Sequence, residues 1–173
     1  MTTTLSRTEQ AWQLLEGLSD PEIPVVTLRE LGILREVREH PEGLHVVITP
    51  TYSGCPAMGQ IEDDVKATLA NAGLQATVIT QLAPAWTTDW MSEAAREKLR
   101  AYGIAPPHAC AHEKTGAASV VQFAARTATP EAVPCPQCGS GNTTETSHFG
   151  STACKALYRC LDCMEPFDYF KPY

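Results

Sequence analysis

The sequence predicts an α+β protein, in which a small mixed sheet with packed helices is followed by a short cysteine-rich module. Three observations support this prediction. Apolar residues recur at helical spacing in three segments, and they alternate at strand spacing in the segments between. Five of the seven cysteines fall in the last 39 of the 173 residues. With 43% hydrophobic residues, the chain can also bury an ordinary core.

The first module begins with a helix and a hairpin. Ser6 and Glu9 fit a capping box that starts the helix. The helix must end before residues 20–24, where two prolines interrupt the backbone hydrogen bonds. Two strands follow around residues 31–38 and 44–49, and the turn composition between them indicates a hairpin.

The rest of this module alternates helix, strand and helix. Pro56 suits the first position of the second helix, and Gly73 marks its end. A third strand is expected over residues 74–80. Ser92 then caps the last helix, which Gly103 closes. The loop between them carries two tryptophans, which we interpret as packing anchors: Trp86 and Trp90.

We therefore divide the chain into residues 1–107, an α/β module, residues 108–130, a linker with one short candidate strand, and residues 131–173, a metal-binding module. Three linker residues lie at alternate positions: His108, Cys110 and His112. In an extended segment they would share one face, where they could bind a metal ion. Their Ala/Thr-rich surroundings favour an ordinary linker instead.

The charge balance limits the function classes. Thirteen basic against twenty acidic residues give a net charge of −7, which excludes general binding to phosphate backbones. No apolar run reaches the roughly 18 residues of a membrane span, and the start lacks the apolar region of a signal peptide. We therefore expect a cytoplasmic protein without membrane contact, in which thiols stay reduced.

Two Cys-x-x-Cys pairs, separated by 21 residues, predict a metal site with four ligands: Cys135, Cys138, Cys160 and Cys163. Tetrahedral Zn²⁺ favours four soft ligands of this kind, and iron in a rubredoxin-like site is the alternative. A full set of four thiolates leaves no open coordination position. The predicted zinc is therefore structural.

The surrounding residues predict a zinc ribbon with three strands, around residues 143–148, 156–159 and 165–170. About 40 residues cannot bury a sufficient core alone, so the metal should hold this module folded. Cys154 could be a spare ligand or a redox partner, although a small buried residue is the favoured interpretation. His148 could also be a ligand, but four cysteines make it unnecessary.

Cys55 is the most informative residue of the first module. With Pro56 at the first helical position, Cys55 is predicted at the N-cap, where free backbone N–H groups and the helix dipole would stabilise a thiolate. Three hydroxyls and a glycine lie nearby in sequence: Thr49, Thr51, Ser53 and Gly54. A small buried cysteine without chemistry is the other interpretation, and both stay open.

The remaining polar residues do not indicate an ordinary enzyme. Asp20 and Glu22 could pair as acid and base, but Asp-Pro turns are common where helices stop. Neither a phosphate-binding glycine loop nor a Ser/His/Asp arrangement is recognisable. A thiol enzyme using Cys55 would need a base such as His45 within reach. We assign no catalytic residue, and leave open whether the protein is an enzyme.

Six motifs of the first module resemble the small domain of iron–sulfur assembly and targeting proteins, a group that includes bacterial SufT-type proteins and eukaryotic cytosolic targeting factors. They are DPEIPV (20–25), LGI (31–33), TPT (49–51), GCP (54–56), PAW (84–86) and MSEAAREKL (91–99). Three motifs of the second module extend the resemblance: CPQCG (135–139), FGSTACK (149–155) and EPFDYF (165–170). With these, the chain resembles the family of D subunits of phenylacetyl-CoA epoxidase systems.

The resemblance implies an accessory protein of ring 1,2-epoxidation in aerobic phenylacetate degradation. It would assist the maturation or insertion of an iron–sulfur cluster in the reductase component, which carries a flavin and a [2Fe–2S] cluster. Cys55 would be the cluster or client thiol, in a pocket shaped by four residues: Asp20, Glu22, Thr49 and Thr51. The implied partners are the reductase, the oxygenase subunits and the iron–sulfur assembly machinery.

Any cluster held at Cys55 would be transient and shared. One thiolate cannot supply the four ligands of a [2Fe–2S] cluster. We therefore expect either a homodimer bridged across Cys55 or a contact that hands the cluster to the reductase. The alternatives are a scaffold that joins the epoxidase subunits through the ribbon and a thiol enzyme dependent on Cys55.

Overall fold

The computed structural model describes residues 5–107 and 132–173, which contain α-helices and two small sheets. In chain order the elements are α1 (Arg7–Leu15), β1 (Leu34–His40), β2 (Gly43–Ile48), α2 (Met58–Asn71), β3 (Ala76–Thr80), a 3₁₀ turn (Thr88–Trp90), α3 (Glu93–Tyr102), β4 (Ile104–Ala105), β5 (Thr143–Ser147), β6 (Lys155–Cys160) and β7 (Pro166–Phe170). The predicted α+β class is confirmed.

The first sheet is mixed and has β2 at its centre. β1 pairs with β2 in antiparallel orientation and β3 pairs with it in parallel, so that Val46 lies between Val37 and Val78. Gly43 opens β2 with φ 137°, and an added Cβ would lie 2.6 Å from the Gln75 carbonyl oxygen. Only glycine lets β2 begin so close to the segment that precedes β3.

Two strands start later than their apolar patterns predict. β1 begins at Leu34 and β3 at Ala76, rather than at residues 31 and 74. Leu31 and Leu74 are nevertheless buried, with 1% and 7% of their surface exposed. In both places the apolar residue lies in the connection before the strand and packs on the core. Burial therefore extends beyond the residues that are hydrogen-bonded in the sheet.

Helices α1 and α2 contact each other, and they pack against β1 and β3 respectively. The predicted capping box is present, because Ser6 accepts the Glu9 N–H and the Glu9 carboxylate accepts the Ser6 N–H at 2.8 Å. The buried positions recur at helical spacing on one face of each helix: Ala11 and Leu15 in α1, and Ile61, Val65 and Leu69 in α2.

Helix α3 leads directly into the second sheet. The Ser92 hydroxyl accepts the Ala95 N–H at 3.1 Å, and Gly103 ends the helix with φ 93°, as predicted. β4 follows at once and pairs in parallel with β7, where Ile104 lies opposite Asp168. The strand order is β4-β7-β6-β5, so the three predicted ribbon strands gain a fourth from the first module.

The two modules share one core at their junction. Phe170 and Cys154 of the ribbon are 1% and 4% exposed and belong to the apolar cluster of the first module. Trp86 donates its indole N–H to the Leu31 carbonyl at 2.9 Å, and its ring lies 6.0 Å from Phe170 and 6.3 Å from Tyr173. Trp86 is therefore a packing anchor, in agreement with the prediction.

Some of the predicted features lie in a part of the chain that the structure does not describe. The linker residues His108, Cys110 and His112 lie outside the described residues, as does the candidate strand at 120–123. The domain boundaries at residues 107 and 131 stay predictions. Among the described helices, none has the length and apolar character that crossing a membrane requires.

Candidate functional site

The four predicted metal ligands meet in one place. The sulfurs of Cys135, Cys138, Cys160 and Cys163 all lie within 4.8 Å of one another. The Cys135 and Cys163 sulfurs are 3.7 Å apart, and those of Cys138 and Cys160 are 3.6 Å apart. Four sulfurs placed about 2.3 Å from a central ion in a tetrahedron would be separated by about 3.8 Å. The four sulfurs therefore fit one tetrahedral metal ion.

Each Cys-x-x-Cys pair forms a turn of the same kind. The residue after the second cysteine has a left-handed backbone in both turns: Gly139 has φ 76° and Met164 has φ 66°. Glycine takes this conformation without penalty, whereas a methionine is strained there by about 1 kcal/mol. The two turns therefore share one backbone geometry, although only the first has a glycine at this position.

In the second pair, a backbone N–H group favours the charged form of Cys160. The Cys163 N–H donates to the Cys160 sulfur at 3.5 Å. This hydrogen bond is the largest influence that lowers the pKa of the Cys160 thiol, to about 7. Asp162 links the two turns by accepting hydrogen bonds from Ser140 and from Asn142. His148 is exposed and contacts Glu145 and Phe149 instead of this cluster.

Cys55 lies on the loop between β2 and α2, two residues before the cap of that helix. Helix α2 begins at Met58, with Ala57 as the N-cap, and Cys55 precedes the cap. The prediction that Cys55 is itself the N-cap is therefore wrong. Pro56 and Ala57 form a tight turn in which the Met58 N–H donates to the Cys55 carbonyl, and this turn displaces the helix start.

The surroundings of Cys55 oppose a free thiolate. Burial is the largest influence that raises the pKa of the half-buried Cys55 thiol. A hydrogen bond from the Ala57 N–H acts against it, while Glu22, Asp20 and Cys154 add repulsion. The sequence predicted the opposite direction, because the N-cap position would have provided several N–H groups. The net effect of these surroundings is to favour the protonated thiol.

Asp20 forms the turn that brings the acidic residues to this loop. One oxygen of its buried carboxylate accepts the N–H groups of Glu22 and Ile23 at 2.8 and 2.9 Å. Burial raises the pKa of both Asp20 and Glu22, and the carboxylate of Asp20 raises that of Glu22 further. Lys155, from the ribbon, opposes both shifts. Asp20 thus has a clear structural role in the turn.

Of the three hydroxyl residues near Cys55 in sequence, two are buried and one is exposed. Thr49 and Thr51 are 1% and 7% exposed, whereas Ser53 and Gly54 are exposed to solvent. Within the described parts of the chain, the Thr49 hydroxyl has no hydrogen-bond partner. Tyr52 borders the site, and burial together with the neighbouring acidic groups raises its pKa to about 12.

His45 does not lie where a base for Cys55 would be needed. Its ring stacks on His40 with 3.9 Å between the ring centroids, close to the hairpin turn at the start of β2. Cys55 follows the other end of β2. Partial desolvation and nearby charges lower the pKa of His45, which agrees with its place beside His40 and Arg38.

The approach of the ribbon to Cys55 was not predicted from the sequence. Cys154 of the ribbon acts electrostatically on Cys55, and Lys155 acts on the carboxylates of Asp20 and Glu22. Tyr173 interacts in the same way with Tyr52. The segment 149–155 carries one of the motifs of the family resemblance, which marks it as a candidate functional segment. No local sequence pattern indicated that it lies near residue 55.

Two protein families match the chain, one for each module. The iron–sulfur cluster assembly protein family matches residues 8–79. The PaaD zinc beta ribbon domain family matches residues 120–171. The first match includes Cys55 and its loop, and the second includes the four clustered cysteines.

Similar proteins are known in several bacteria. A protein of Escherichia coli (strain K12), provisionally named as the D subunit of 1,2-phenylacetyl-CoA epoxidase, is 48% identical over 166 residues, which cover 94% of this chain and 91% of that protein. A crystal structure of a domain of unknown function, DUF59, from Bacillus anthracis is 29% identical and covers 53% of this chain and 90% of its own, with a TM-score of 0.49. A solution structure from Mycobacterium tuberculosis, of a protein associated with [Fe–S] complex assembly and repair, is 27% identical and covers 60% of this chain and 94% of its own, with a TM-score of 0.33.

Proposed function

The chain belongs to the same family as the D subunit of 1,2-phenylacetyl-CoA epoxidase from Escherichia coli, and from this we propose that it is an accessory protein of such an epoxidase system. The system forms the ring 1,2-epoxide of phenylacetyl-CoA in aerobic phenylacetate degradation. The protein assists the maturation of an iron–sulfur cluster, or its insertion into the reductase component. The cluster is its cargo, and the protein acts in the cytoplasm.

One observation carries this proposal: the half-buried thiol of Cys55 lies in the module that matches iron–sulfur assembly proteins. Thiolates are the ligands that iron–sulfur clusters require. A thiol with a raised pKa reacts slowly with oxidants, yet it loses its proton when a metal ion arrives. These properties suit a site that accepts a cluster and gives it away again.

The four-cysteine site has a different task, which is to hold the ribbon together around a structural zinc ion. The four sulfurs would fill all the coordination positions of a tetrahedral ion, so neither water nor substrate could bind it. Zinc has no redox chemistry, and a closed site of this kind contributes folding energy. We expect about one zinc ion per chain in protein purified in air, without the visible colour of a rubredoxin-like iron site.

The decisive experiment compares the reductase component produced together with three forms of this chain. The forms are the wild type, Cys55→Ala and, as a control that also removes one thiol, Cys110→Ala. Iron and acid-labile sulfide are measured per flavin in the purified reductase. We expect normal cluster content with the wild type and the control, and a content lowered severalfold with Cys55→Ala.

Normal cluster content with Cys55→Ala would contradict the proposal. If the epoxidase subunits then failed to assemble in the absence of the chain, the scaffold function would be the better conclusion. Direct contact is tested separately, by measuring whether the wild-type chain binds the cluster-free reductase and whether the Cys55→Ala variant does so more weakly.

A further inference from the structure

The second Cys-x-x-Cys turn of the ribbon exposes two large apolar side chains, which we call the apolar pair. Leu161 follows Cys160 and is 47% exposed, and Met164 follows Cys163 and is 53% exposed. Neither belongs to the two apolar clusters that the described residues form. Single apolar residues are common on protein surfaces, so the position of these two on one turn, rather than their exposure alone, requires an explanation.

Backbone hydrogen bonds hold the apolar pair in a defined geometry. The Cys160 N–H donates to the Glu165 carbonyl at 3.0 Å, which closes the turn from its two ends. The Leu161 N–H donates to the Asn142 carbonyl at 2.8 Å, which fixes the turn to the residue before β5. The Cys160 and Cys163 sulfurs also lie within 4.8 Å of each other. Because the turn is already ordered, a partner that binds it loses little conformational entropy there.

The first Cys-x-x-Cys turn shows that the geometry does not require these two side chains. At the corresponding positions it has Pro136 and Gly139. Gly139 takes the left-handed backbone without penalty, whereas Met164 is strained at its φ of 66°. Strained residues of this kind cluster at functional sites. Met164 therefore combines backbone strain with exposed apolar surface, and a role in binding would explain both.

The two turns also differ in their surroundings. The first turn lies against the first module, where an added Cβ at Gly103 would be 3.4 Å from the Gln137 side-chain nitrogen. It also lines a cavity together with helix α3, to which Arg96 contributes. The second turn presents its apolar pair to solvent. Within the described ranges, the ribbon thus uses one turn for contacts inside the chain and leaves the other available to a partner.

The charge around the apolar pair indicates which partner fits. Asp162 and Glu165 are exposed on the same turn, and Arg159 is the basic residue nearest to them in sequence. A zinc ion with four thiolates keeps two negative charges, so this end of the ribbon is acidic when the metal is bound. The net charge of −7 disfavours a second copy of this chain, a nucleic acid or an anionic membrane. The complementary partner is a protein with an apolar recess bordered by lysine or arginine side chains.

We propose that Leu161 and Met164 form a docking surface, which inserts into a basic-bordered apolar recess of a protein partner. This part rests on the proposed function, from which the partner is the cluster-free reductase component. Methionine suits the role because its flexible, polarizable side chain adapts to irregular apolar surfaces. Asp162 and Glu165 face the basic border. The ribbon recognises the client in this way, and Cys55 in the first module stays available for the cluster.

Calorimetric titration of the full-length, zinc-loaded chain with purified cluster-free reductase tests this inference. Met164→Gly and Leu161→Ala should each raise the dissociation constant about tenfold, because each removes an apolar anchor from the interface. Leu5→Ala truncates another exposed leucine, 45% exposed, and should leave the constant unchanged. Met164→Gly relieves strain, so weaker binding by this variant cannot be attributed to unfolding. An unchanged zinc content confirms that Leu161→Ala keeps the ribbon folded.

The salt dependence of binding tests the charge complementarity. Affinity of the wild type should fall severalfold as the salt concentration is raised from about 0.05 M to about 0.3 M. Glu165→Gln should weaken binding at low salt about threefold and should reduce this dependence, because it removes one charge beside the apolar pair. Glu42→Gln, which removes an exposed charge on the hairpin, should do neither.

Several results would overturn the inference. They are the absence of binding by the wild type, an unchanged dissociation constant in both Met164→Gly and Leu161→Ala, and an affinity that responds neither to salt nor to Glu165→Gln. Sedimentation of the chain alone tests a second copy as the occupant. A dimer that dissociates in Leu161→Ala would assign the apolar pair to self-association and would also overturn the proposal.

The docking surface and the proposed function can fail independently. Reductase loading that depends on Cys55, together with binding that is insensitive to both substitutions of the apolar pair, would keep the function and remove the docking surface. Binding that depends on Leu161 and Met164, together with normal reductase loading by Cys55→Ala, would keep the docking surface and remove the function in cluster maturation.

Discussion

Cys55 shows how a single residue can be chemically useful without being reactive. Burial is the main reason why its pKa is raised, and the carboxylate of Glu22 adds to the effect. The thiolate fraction at neutral pH is therefore smaller than that of an ordinary cysteine. Such a thiol is protected from alkylation and oxidation, but a metal ion can still compete for it.

The first prediction concerns the rate at which iodoacetamide alkylates Cys55 as a function of pH, followed by peptide mass. Only the thiolate reacts, so the rate should be low at neutral pH and should still increase above the ordinary pKa of a cysteine. Glu22→Gln removes one repulsive charge and should increase the neutral-pH rate about threefold. Glu42→Gln, which is exposed on the hairpin, should not change it. Fast alkylation at neutral pH would mean that Cys55 is a thiolate after all.

The second prediction concerns Met164, whose φ of 66° places a methionine where the matching turn has Gly139. Met164→Gly should increase the free energy of unfolding of the zinc-loaded protein by up to about 1 kcal/mol, because it relieves the strain. Met164→Val should lower it, because a β-branched side chain tolerates this conformation least. Denaturant unfolding at constant zinc concentration measures both. Equal stabilities of the three proteins would show that the turn carries no strain.

Among the elements, those with local signals could be predicted from the sequence. The cap residues Ser6 and Ser92 and the terminal Gly103 place helix ends through bonds made within a few residues. The two Cys-x-x-Cys turns are local for the same reason, and a tetrahedral ion then explains their meeting. The elements that were not predicted depend on distant partners or on one small turn.

β4 and the loop at Cys55 are two examples. β4 has only two residues and exists because β7 provides the hydrogen bonds, so its own sequence could not indicate it. The loop at Cys55 has the sequence of a helix start, but the turn of Pro56 and Ala57 comes first. The burial of Cys154 in the shared core likewise depends on distant contacts, which no spacing along the chain reveals.

The third prediction tests how α3 and β4 couple the modules. Gly103 and Gly73 both end a helix with positive φ, at 93° and 75°, so replacing either by alanine should cost about 1 kcal/mol. Only Gly103 is followed by a strand of the ribbon sheet. Gly103→Ala should therefore speed amide hydrogen exchange in β7, measured by mass spectrometry, while Gly73→Ala should not. The same exchange of β7 in both variants would mean that β4 adds nothing to the ribbon.

At the scale of the whole molecule, the metal site and the first module are linked by shared burial. Phe170 lies in the core of the first module while its strand, β7, belongs to the ribbon sheet. Trp86 of the first module adds to this link, since its ring packs against those of Phe170 and Tyr173. Loss of the four-cysteine site should therefore disturb more than the residues around it, because the ribbon and the first module share this packing.

The fourth prediction follows from this link. Cys138→Ser removes an exposed ligand and should release the metal, because three thiolates and a hydroxyl bind zinc far more weakly than four thiolates. The ribbon then loses its main source of folding energy. Phe170 is no longer held in place, and burial of a phenylalanine is worth about 3 kcal/mol or more. Amide exchange in β2 should therefore become faster as well, although β2 is remote from the metal, while Cys110→Ser should leave it unchanged.

The two possible results for amide exchange in β2 distinguish independent folding of the modules from joint folding. If β2 kept its full protection after metal loss, the modules would be independent folding units, and the junction would be a contact that can open. Protection lost in both modules together would instead show that the four-cysteine site and the shared core fold as one unit.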